Sequence, residues 1–267
     1  MPASPNSTDP HLGLDPEGTT VPLVFDAPLQ SWGHQDLFTR RNTLPFPTQS
    51  AVVGMIAAAM HLARGSVDEG DRLPDLNAVR MMACRLGQKG SRRSVTLLTD
   101  YHTVMGARTA SGKTKPTELT NRDYLLDSKF IVLLQGTDSV LEEIVRALRS
   151  PAWGVWFGRR CCVPAIPILP PGELPCPDAL SAWDLVRDVY SEFVASDIPA
   201  SWEGCERMVT ATDFDSADET LQDVPLSFGF SQRSYGTRRV RRYSPKSKVS
   251  LEETVESPLD FLPDSSE

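Results

Sequence analysis

The sequence is poor in the residues from which most metal and nucleophilic sites are built. Its 267 residues hold four histidines (His11, His34, His61 and His102), none spaced as HxH or HExxH. No metal site is expected, and no cofactor is assigned. A GxxxxGK[ST] loop is also missing, which excludes the phosphate cradle of P-loop proteins. The five cysteines (Cys84, Cys161, Cys162, Cys176 and Cys205) form no CxxC pair. That argues against a zinc ribbon and for free thiols in a reducing cytoplasm. Long apolar runs are lacking too: the most apolar, Ala51 to Ala63, is interrupted by His61 and is too short to span a bilayer. No signal peptide and no membrane partner are expected.

What is present is an uneven distribution of charge. The chain carries a net −8, yet Arg80 to Arg122 holds nine Lys/Arg against Asp100 and Glu118. Residues Phe230 to Lys248 add seven basic residues (Arg233, Arg238, Arg239, Arg241, Arg242, Lys246 and Lys248) and no acid. Everything else is acidic, including all six charges after Ser250. Basic runs are often only solvated surface, but two dense ones in an acidic chain point to a polyanion, RNA or DNA. The C-terminal arginines read as solvated, with effects that salt should screen.

The central run is the organising stretch. Ser94 to Thr99 is rich in β-branched residues, Asp100 to Thr103 is aromatic and polar, and Gly106 to Pro116 has no apolar periodicity. With a strand at Lys129 to Gln135 following, the region reads as a long basic β-hairpin arm. Before it, Val21 to Phe25 reads as a strand, and Thr48-Gln49-Ser50 as the cap of an apolar helix over Ala51 to Ala63. Exposed N–H groups at that helix start would make an anion site. Leu73 to Asn77 reads as a loop and Ala78 to Leu86 as a strand. An amphipathic helix starts at Asp138-Ser139 and stops at Pro151, and Trp153 to Phe157 reads as a strand. The order β-α-β-(arm)-β-α-β is α+β and ferredoxin-like, the arrangement of RNA-recognition domains. Further on, a helix over Leu180 to Phe193 and a strand over Arg207 to Thr212 are expected.

Residues 1–20 read as a disordered leader and 21–170 as the main domain, with the arm inserted at about 92–125. Residues 171–249 read as a smaller, irregular region and 250–267 as an acidic tail. His61 reads as a packed helix residue and His102 as a hydrogen-bonding or stacking residue without a catalytic partner. Trp32, Tyr101, Tyr124 and Trp156 sit next to basic residues or glycine, a composition that stacks bases.

Five separated motifs carry a resemblance. They are Gln30-Ser31-Trp32-Gly33; Pro47-Thr48-Gln49-Ser50 with Gly54; Asp100-Tyr101-His102-Thr103-Val104 with Gly106-Ala107-Arg108; Arg122-Asp123-Tyr124-Leu125; and Gly158-Arg159-Arg160-Cys161-Cys162-Val163-Pro164. Over about Val21 to Pro170 the chain resembles the CasD subunits of type I-E CRISPR Cascade complexes. The resemblance implies a palm with a projecting thumb, the thumb being the basic arm. It implies a non-catalytic subunit that grips the 5′ handle of the CRISPR RNA, caps the CasC backbone filament, adjoins the large CasA subunit, and meets target DNA only through the complex. In type I-C relatives the corresponding subunit cuts precursor RNA, so a metal-independent endoribonuclease is the alternative. The RNA-binding residues expected on this basis are Gln30, Ser31, Trp32, Gly33, Thr48, Gln49 and Ser50 on the first loop and helix start. Tyr101, His102, Thr103, Arg108, Arg122 and Tyr124 follow on the thumb, with Arg159 and Arg160 on the palm.

Overall fold

The computed structural model describes residues 14–33, 39–87, 95–109, 111–191, 198–210 and 217–244. The acidic tail, the first thirteen residues, His34, Arg92, Arg93, Lys246 and Lys248 lie outside the described residues.

The frame is a sheet whose central strands are apolar on both sides. Strand β1 (Thr20–Asp26) pairs antiparallel with a strand at Lys129–Gln135, which pairs in turn with one at Arg80–Arg85. Successive side chains alternate between two cores. Leu23, Phe25, Phe130, Val132 and Ala83 face one, and Val24, Ile131, Leu133 and Cys84 face the other. Burial on both faces explains why these strands read as continuous apolar runs.

Between β1 and the thumb lie two short strands, β2 (Leu29–Gln30) and β3 (Arg40–Arg41), and two helices, α1 (Gln49–Ala59) and α2 (Val67–Ala78). Helix α1 ends four residues earlier than expected. His61 adopts φ 65° and closes a Schellman turn, with Leu62 N–H bonded to the Ala57 carbonyl and His61 N–H to that of Ala58. His61 is therefore exposed and packs edge-on to Trp153 at 4.7 Å, outside the helix in which it was expected. The loop expected at Leu73 to Asn77 is the second half of α2, despite Pro74 inside the helix. Its start is fixed by Ser66 Oγ, which accepts from Glu69 N–H at 3.1 Å, while Glu69 turns back to accept from Gly65 N–H.

Strand β4 (Arg80–Arg85) leads to the thumb, β5 (Thr96–Arg108) and β6 (Thr114–Leu126), thirteen residues each and paired throughout. Regular pairing thus runs well past Thr99, through residues that lack apolar periodicity. Gly106, with φ 64°, lies opposite Pro116, and a tight turn from Thr109 to Lys113 closes the tip. Strand β7 (Lys129–Gln135) returns to the main sheet and is followed by α3 (Asp138–Arg149), which buries Leu141, Ile144 and Val145.

The β1-β7-β4 order is that of a ferredoxin-like palm, and the place of its fourth strand is taken by an irregular segment. Ala165 N–H bonds to Asp26 O, Val24 N–H to Ile168 O, and Thr20 exchanges two bonds with Cys176. Pro164, Pro167, Pro170, Pro171 and Pro175 punctuate this edge and cannot donate to a ladder, so no continuous strand forms there. The strand expected at Trp153 to Phe157 does not form either; those residues are irregular, and of them Phe157 is buried against the first loop, bonded to Ser31 and packed on Trp32.

Helix α4 (Ala179–Tyr190) covers the second core with Trp183, Val186 and Tyr190. Then β8 (Glu206–Thr210), β9 (Glu219–Ser227) and β10 (Ser234–Tyr243) extend the sheet beyond β4, giving the order β1-β7-β4-β8-β10-β9. At the other end of the chain, residues 14–20 are held rather than free. Gln135 accepts from Asp15 N–H and donates to the carbonyls of Asp15 and Gly18.

Candidate nucleic-acid interface

A cleft of about 650 Å³ opens where the thumb leaves the palm. Cross-strand pairing decides which thumb residues face it: Leu98 opposes Tyr124, and Asp100 opposes Arg122, with His102 two residues further along the same face. The palm side contributes Leu29, Arg41 and the turn of Arg159, Arg160 and Cys161. Four arginines and one histidine thus converge on a space whose lining holds one carboxylate, Asp100. That carboxylate lies 3.3 Å from His102 Nδ1.

The arginine turn is held by the first-loop motif. Ser31 N–H donates to the Phe157 carbonyl, Phe157 N–H donates to the Cys162 carbonyl, and Cys162 N–H donates to that of Arg159, closing the turn. Gly158 adopts φ 95°, and a Cβ there would stand 1.7 Å from the Ser31 carbonyl oxygen, so only glycine permits this approach. Arg159 reaches across the cleft floor, donating to the Asp123 carbonyl at 3.0 Å and the Arg41 carbonyl at 2.9 Å, with its guanidinium 4.5 Å from the centre of the Tyr124 ring. Arg160 is exposed over Trp156. The Cys161 thiol donates to the Tyr124 hydroxyl at 3.6 Å. Burial, helped by that thiol, raises the Tyr124 pKa, so the phenol is a neutral donor and acceptor.

Of the residues expected to bind RNA, the structure brings His102, Arg122, Tyr124, Arg159 and Arg160 together. The first-loop side chains point inward. Gln30 donates to the carbonyls of Phe25 and Ser128, and Ser31 to that of Asp123. Trp32 is 1% exposed and stacks on Phe25, so it offers no face to a base. Thr48 caps α1 and is buried, and Gln49 is spent on Asn77 and Asp223. The expected anion site at this helix start is already filled by the Asp223 carboxylate, which accepts Gln49 N–H at 2.8 Å. Ser50 is half-buried beside Thr48, and Gly33 is exposed outside the cleft lining. Tyr101 and Thr103 lie on the opposite face of the hairpin, which also carries Leu97, Met105 and Leu119. Arg108 is exposed near the tip, six residues and roughly 20 Å beyond His102.

Sequence reasoning missed Arg41, Asp100 and Cys161 as members of the site. Arg41 enters because β3 pairs in parallel with β6, setting Arg41 beside Arg122. The signal was the Arg40-Arg41 pair in the loop after β2, but nothing local says which strand it joins. Nor are the C-terminal arginines simply solvated: Arg238 is 7% exposed and makes two bonds to Asp223 and one to Thr210. Among the described residues no group of three or more His, Cys, Asp or Glu could hold a metal ion, and no helix is long and apolar enough to cross a membrane.

Fold and cleft together define a class: palm-and-thumb proteins with a ferredoxin-like palm, a projecting two-stranded thumb and cations gathered at the thumb root. The chain belongs to the CRISPR-associated protein (Cas_Cas5) family, whose model matches residues 20–241. It is 33% identical over 145 residues to the CRISPR system Cascade subunit CasD of Escherichia coli (strain K12), a match that spans 52% of this chain and 65% of that protein. A chain of a CRISPR RNA-guided surveillance complex superimposes with a TM-score of 0.62 at 26% identity, covering 84% of this chain and 89% of the other. A crystal structure of a Cas protein gives a TM-score of 0.54 at 27% identity over 85% and 94% of the two chains.

Proposed function

We propose that this chain is a non-catalytic, RNA-binding and architectural subunit of a type I-E Cascade surveillance complex. It grips the 5′ handle of the guide RNA in the cleft at the thumb root and caps the CasC backbone filament, with the large CasA subunit adjoining. The observation that carries the reading is the convergence of Arg41, Arg122, Arg159 and Arg160 around Tyr124. Guanidinium groups pair with phosphates, the contact a bent single strand of RNA calls for, and the buried Tyr124 ring holds the Arg159 guanidinium in the cleft. Similarity to the subunit of a surveillance complex supports the same reading.

A second reading rests on one contact. His102 and Asp100 form a half-exposed pair in this cleft, the geometry of an oriented general base. A metal-independent endoribonuclease would use it on RNA held by the arginines. Two measurements separate the readings: retention of a handle-containing RNA by the chain, and cleavage of repeat RNA in EDTA. Binding without cleavage supports the architectural role. Cleavage that His102→Ala abolishes, with binding kept, supports the enzyme. Absence of binding overturns both.

A further inference from the structure

We infer that the corner carrying Phe230 is a protein-docking surface, with Phe230 the knob that enters an apolar socket rimmed by carboxylates on a neighbouring subunit. The inference rests on the reading of the chain as a subunit of a Cascade complex and not on the thumb-root cleft. Phe230 sits in the turn between β9 and β10 and is 88% exposed. A single exposed apolar side chain is ordinary, but this one stands on a rigid support. Glu69, buried in the first turn of α2, accepts from Gly65 N–H at 2.9 Å and from Phe228 N–H at 3.3 Å. One carboxylate thus ties the loop before α2 to the β9–β10 turn. The two loops cross at glycine: Gly65 adopts φ 73°, and a Cβ there would stand 3.1 Å from the Gly229 Cα. Phe228 packs on α1, its ring 3.3 Å from where a Cβ on Gly54 would sit. Phe230 is therefore presented by a turn that is already fixed, and little ordering remains when a partner arrives.

The surroundings of the knob define its partner. The Arg64 guanidinium lies 6.0 Å from the centre of the Phe230 ring, and Arg233 is exposed on the same turn. Carboxylates complement both. Val67, also exposed, opens α2, and Leu62 and Asp68 lead into a groove of about 660 Å³ between α1, α2 and α3. Its lining is apolar along Ala59, Met60 and Ala147, and it carries Asp68, Asp71 and Glu143 against Arg72 and Arg146. Three carboxylates against two arginines repel a phosphate backbone, whereas an apolar strip flanked by charges of both signs is how protein interfaces are composed. An aromatic anchor beside such a groove also has the width of contact that one side chain lacks. Strand β10 begins at this corner and finishes at the thumb end of the sheet, where Tyr243 opposes Arg207, Arg207 opposes Cys84, and Leu86 bonds to Lys129. Protein is thus held at one end of the sheet and RNA at the other, as an architectural subunit requires.

The test uses the intact assembly, co-expressed with its guide RNA, and follows release of this chain on dilution by native mass spectrometry. Loss of the aromatic anchor in Phe230→Ser is expected to raise the dissociation constant about tenfold, with Phe230→Leu between that variant and the parent. Arg64→Glu is expected to weaken retention too, and more at low salt than at high. Because Phe230 is exposed, the isolated Phe230→Ser chain should keep the parent's thermal midpoint and a single-stranded RNA affinity within about twofold of it. A second measurement replaces the knob with a photocrosslinker: Phe230→p-benzoylphenylalanine, irradiated in the assembly, is expected to join a protein segment whose apolar residues are flanked by Asp or Glu. Equal dissociation of the parent and Phe230→Ser overturns the inference, and so does a crosslink to RNA or none to protein. A loss of RNA affinity in Phe230→Ser marks a nucleic-acid contact instead and overturns it as well. If the parent chain itself joins no assembly, the Cascade reading fails first, and the docking surface falls with it.

Discussion

Arg238 belongs to the C-terminal basic run and Arg160 to the isolated Arg159-Arg160 pair, and the structure treats them in opposite ways. Arg238 donates from Nε and Nη2 to the two oxygens of Asp223, whose carboxylate also receives the backbone of Gln49. Removing one member of a buried pair leaves the other charge uncompensated and costs about 3–5 kcal/mol. Arg238→Ala is therefore expected to lower the thermal midpoint by many degrees, while the protein that remains folded keeps its RNA affinity. Scanning calorimetry alongside RNA titration checks this, and unchanged stability would show that the pair does not hold the C-terminal strands to α1. Arg160→Ala should behave in the reverse sense. Exposed in the cleft, it should leave stability within about 0.5 kcal/mol and weaken RNA binding by about 1.5–3 kcal/mol, on the order of tenfold to a hundredfold. Periodicity could not separate these two arginines, because a strand tells inside from outside only once its neighbours are known. Asp223, which decides the fate of Arg238, is fifteen residues away. Cys162 shows the same dependence on surroundings. Burial, then its neighbour Cys161, push its thiol from an ordinary 9.0 up to about 12. A raised pKa in the folded state means that this contribution to stability is intact below about pH 9 and is lost as pH rises towards 12. Urea midpoints should fall between neutral pH and pH 10, and the fall should be smaller in Cys162→Ala.

The thumb and the Gly158 turn show what was legible at the scale of elements. The arm was readable as a basic hairpin, yet its first strand read as stopping at Thr99. Its return strand read as Lys129 to Gln135, which instead belongs to the palm sheet, the true return being β6. The first strand continues because β5 and β6 satisfy each other's backbone across twelve paired positions, a stabilisation that leaves no apolar period in the sequence. Hairpin geometry then splits the expected residues between two faces, so a string such as Asp100 to Thr103 cannot all meet one ligand. Tyr101→Ser and Met105→Ser are expected to change RNA affinity by no more than about twofold, since both residues face away from the cleft. A large loss in either would move the RNA path to the outer face. The first-loop motif was found but its purpose was misread: Gln30, Ser31 and Trp32 build the seat on which Gly158 rests. Gly158→Ala must move the Ser31 backbone or abandon φ 95°, and strain of this kind costs of order 1–3 kcal/mol. It should impair RNA binding as much as loss of Arg160 does, although it removes no charge. RNA titration against Arg160→Ala makes the comparison, and unimpaired binding would mean that Arg159 and Arg160 are placed without the Ser31 contact.

Taken whole, the molecule is acidic, and binding through one basic recess, as proposed, makes salt the decisive variable. Each phosphate neutralised on single-stranded nucleic acid contributes about −0.7 to the slope of log affinity against log salt. If Arg41, Arg122, Arg159 and Arg160 each meet one phosphate, the slope is about −3, and Arg160→Gln should make it shallower by about 0.7. Arg233 supplies the control. It is exposed just before β10 begins, whereas the cleft lies at the end of the sheet where β10 finishes, so it shares the net charge of the chain but not the site. Arg233→Gln removes the same charge as Arg160→Gln from the same acidic background. A binding mode set by overall charge would respond equally to both substitutions. A binding mode set by the recess responds to Arg160 alone, leaving the slope of Arg233→Gln at the parent value. Fluorescence anisotropy over a salt series with a short single-stranded RNA distinguishes them. Equal slopes for the two variants would show that the cleft residues are no more than part of a diffuse field, and the four arginines would lose their claim to the guide RNA.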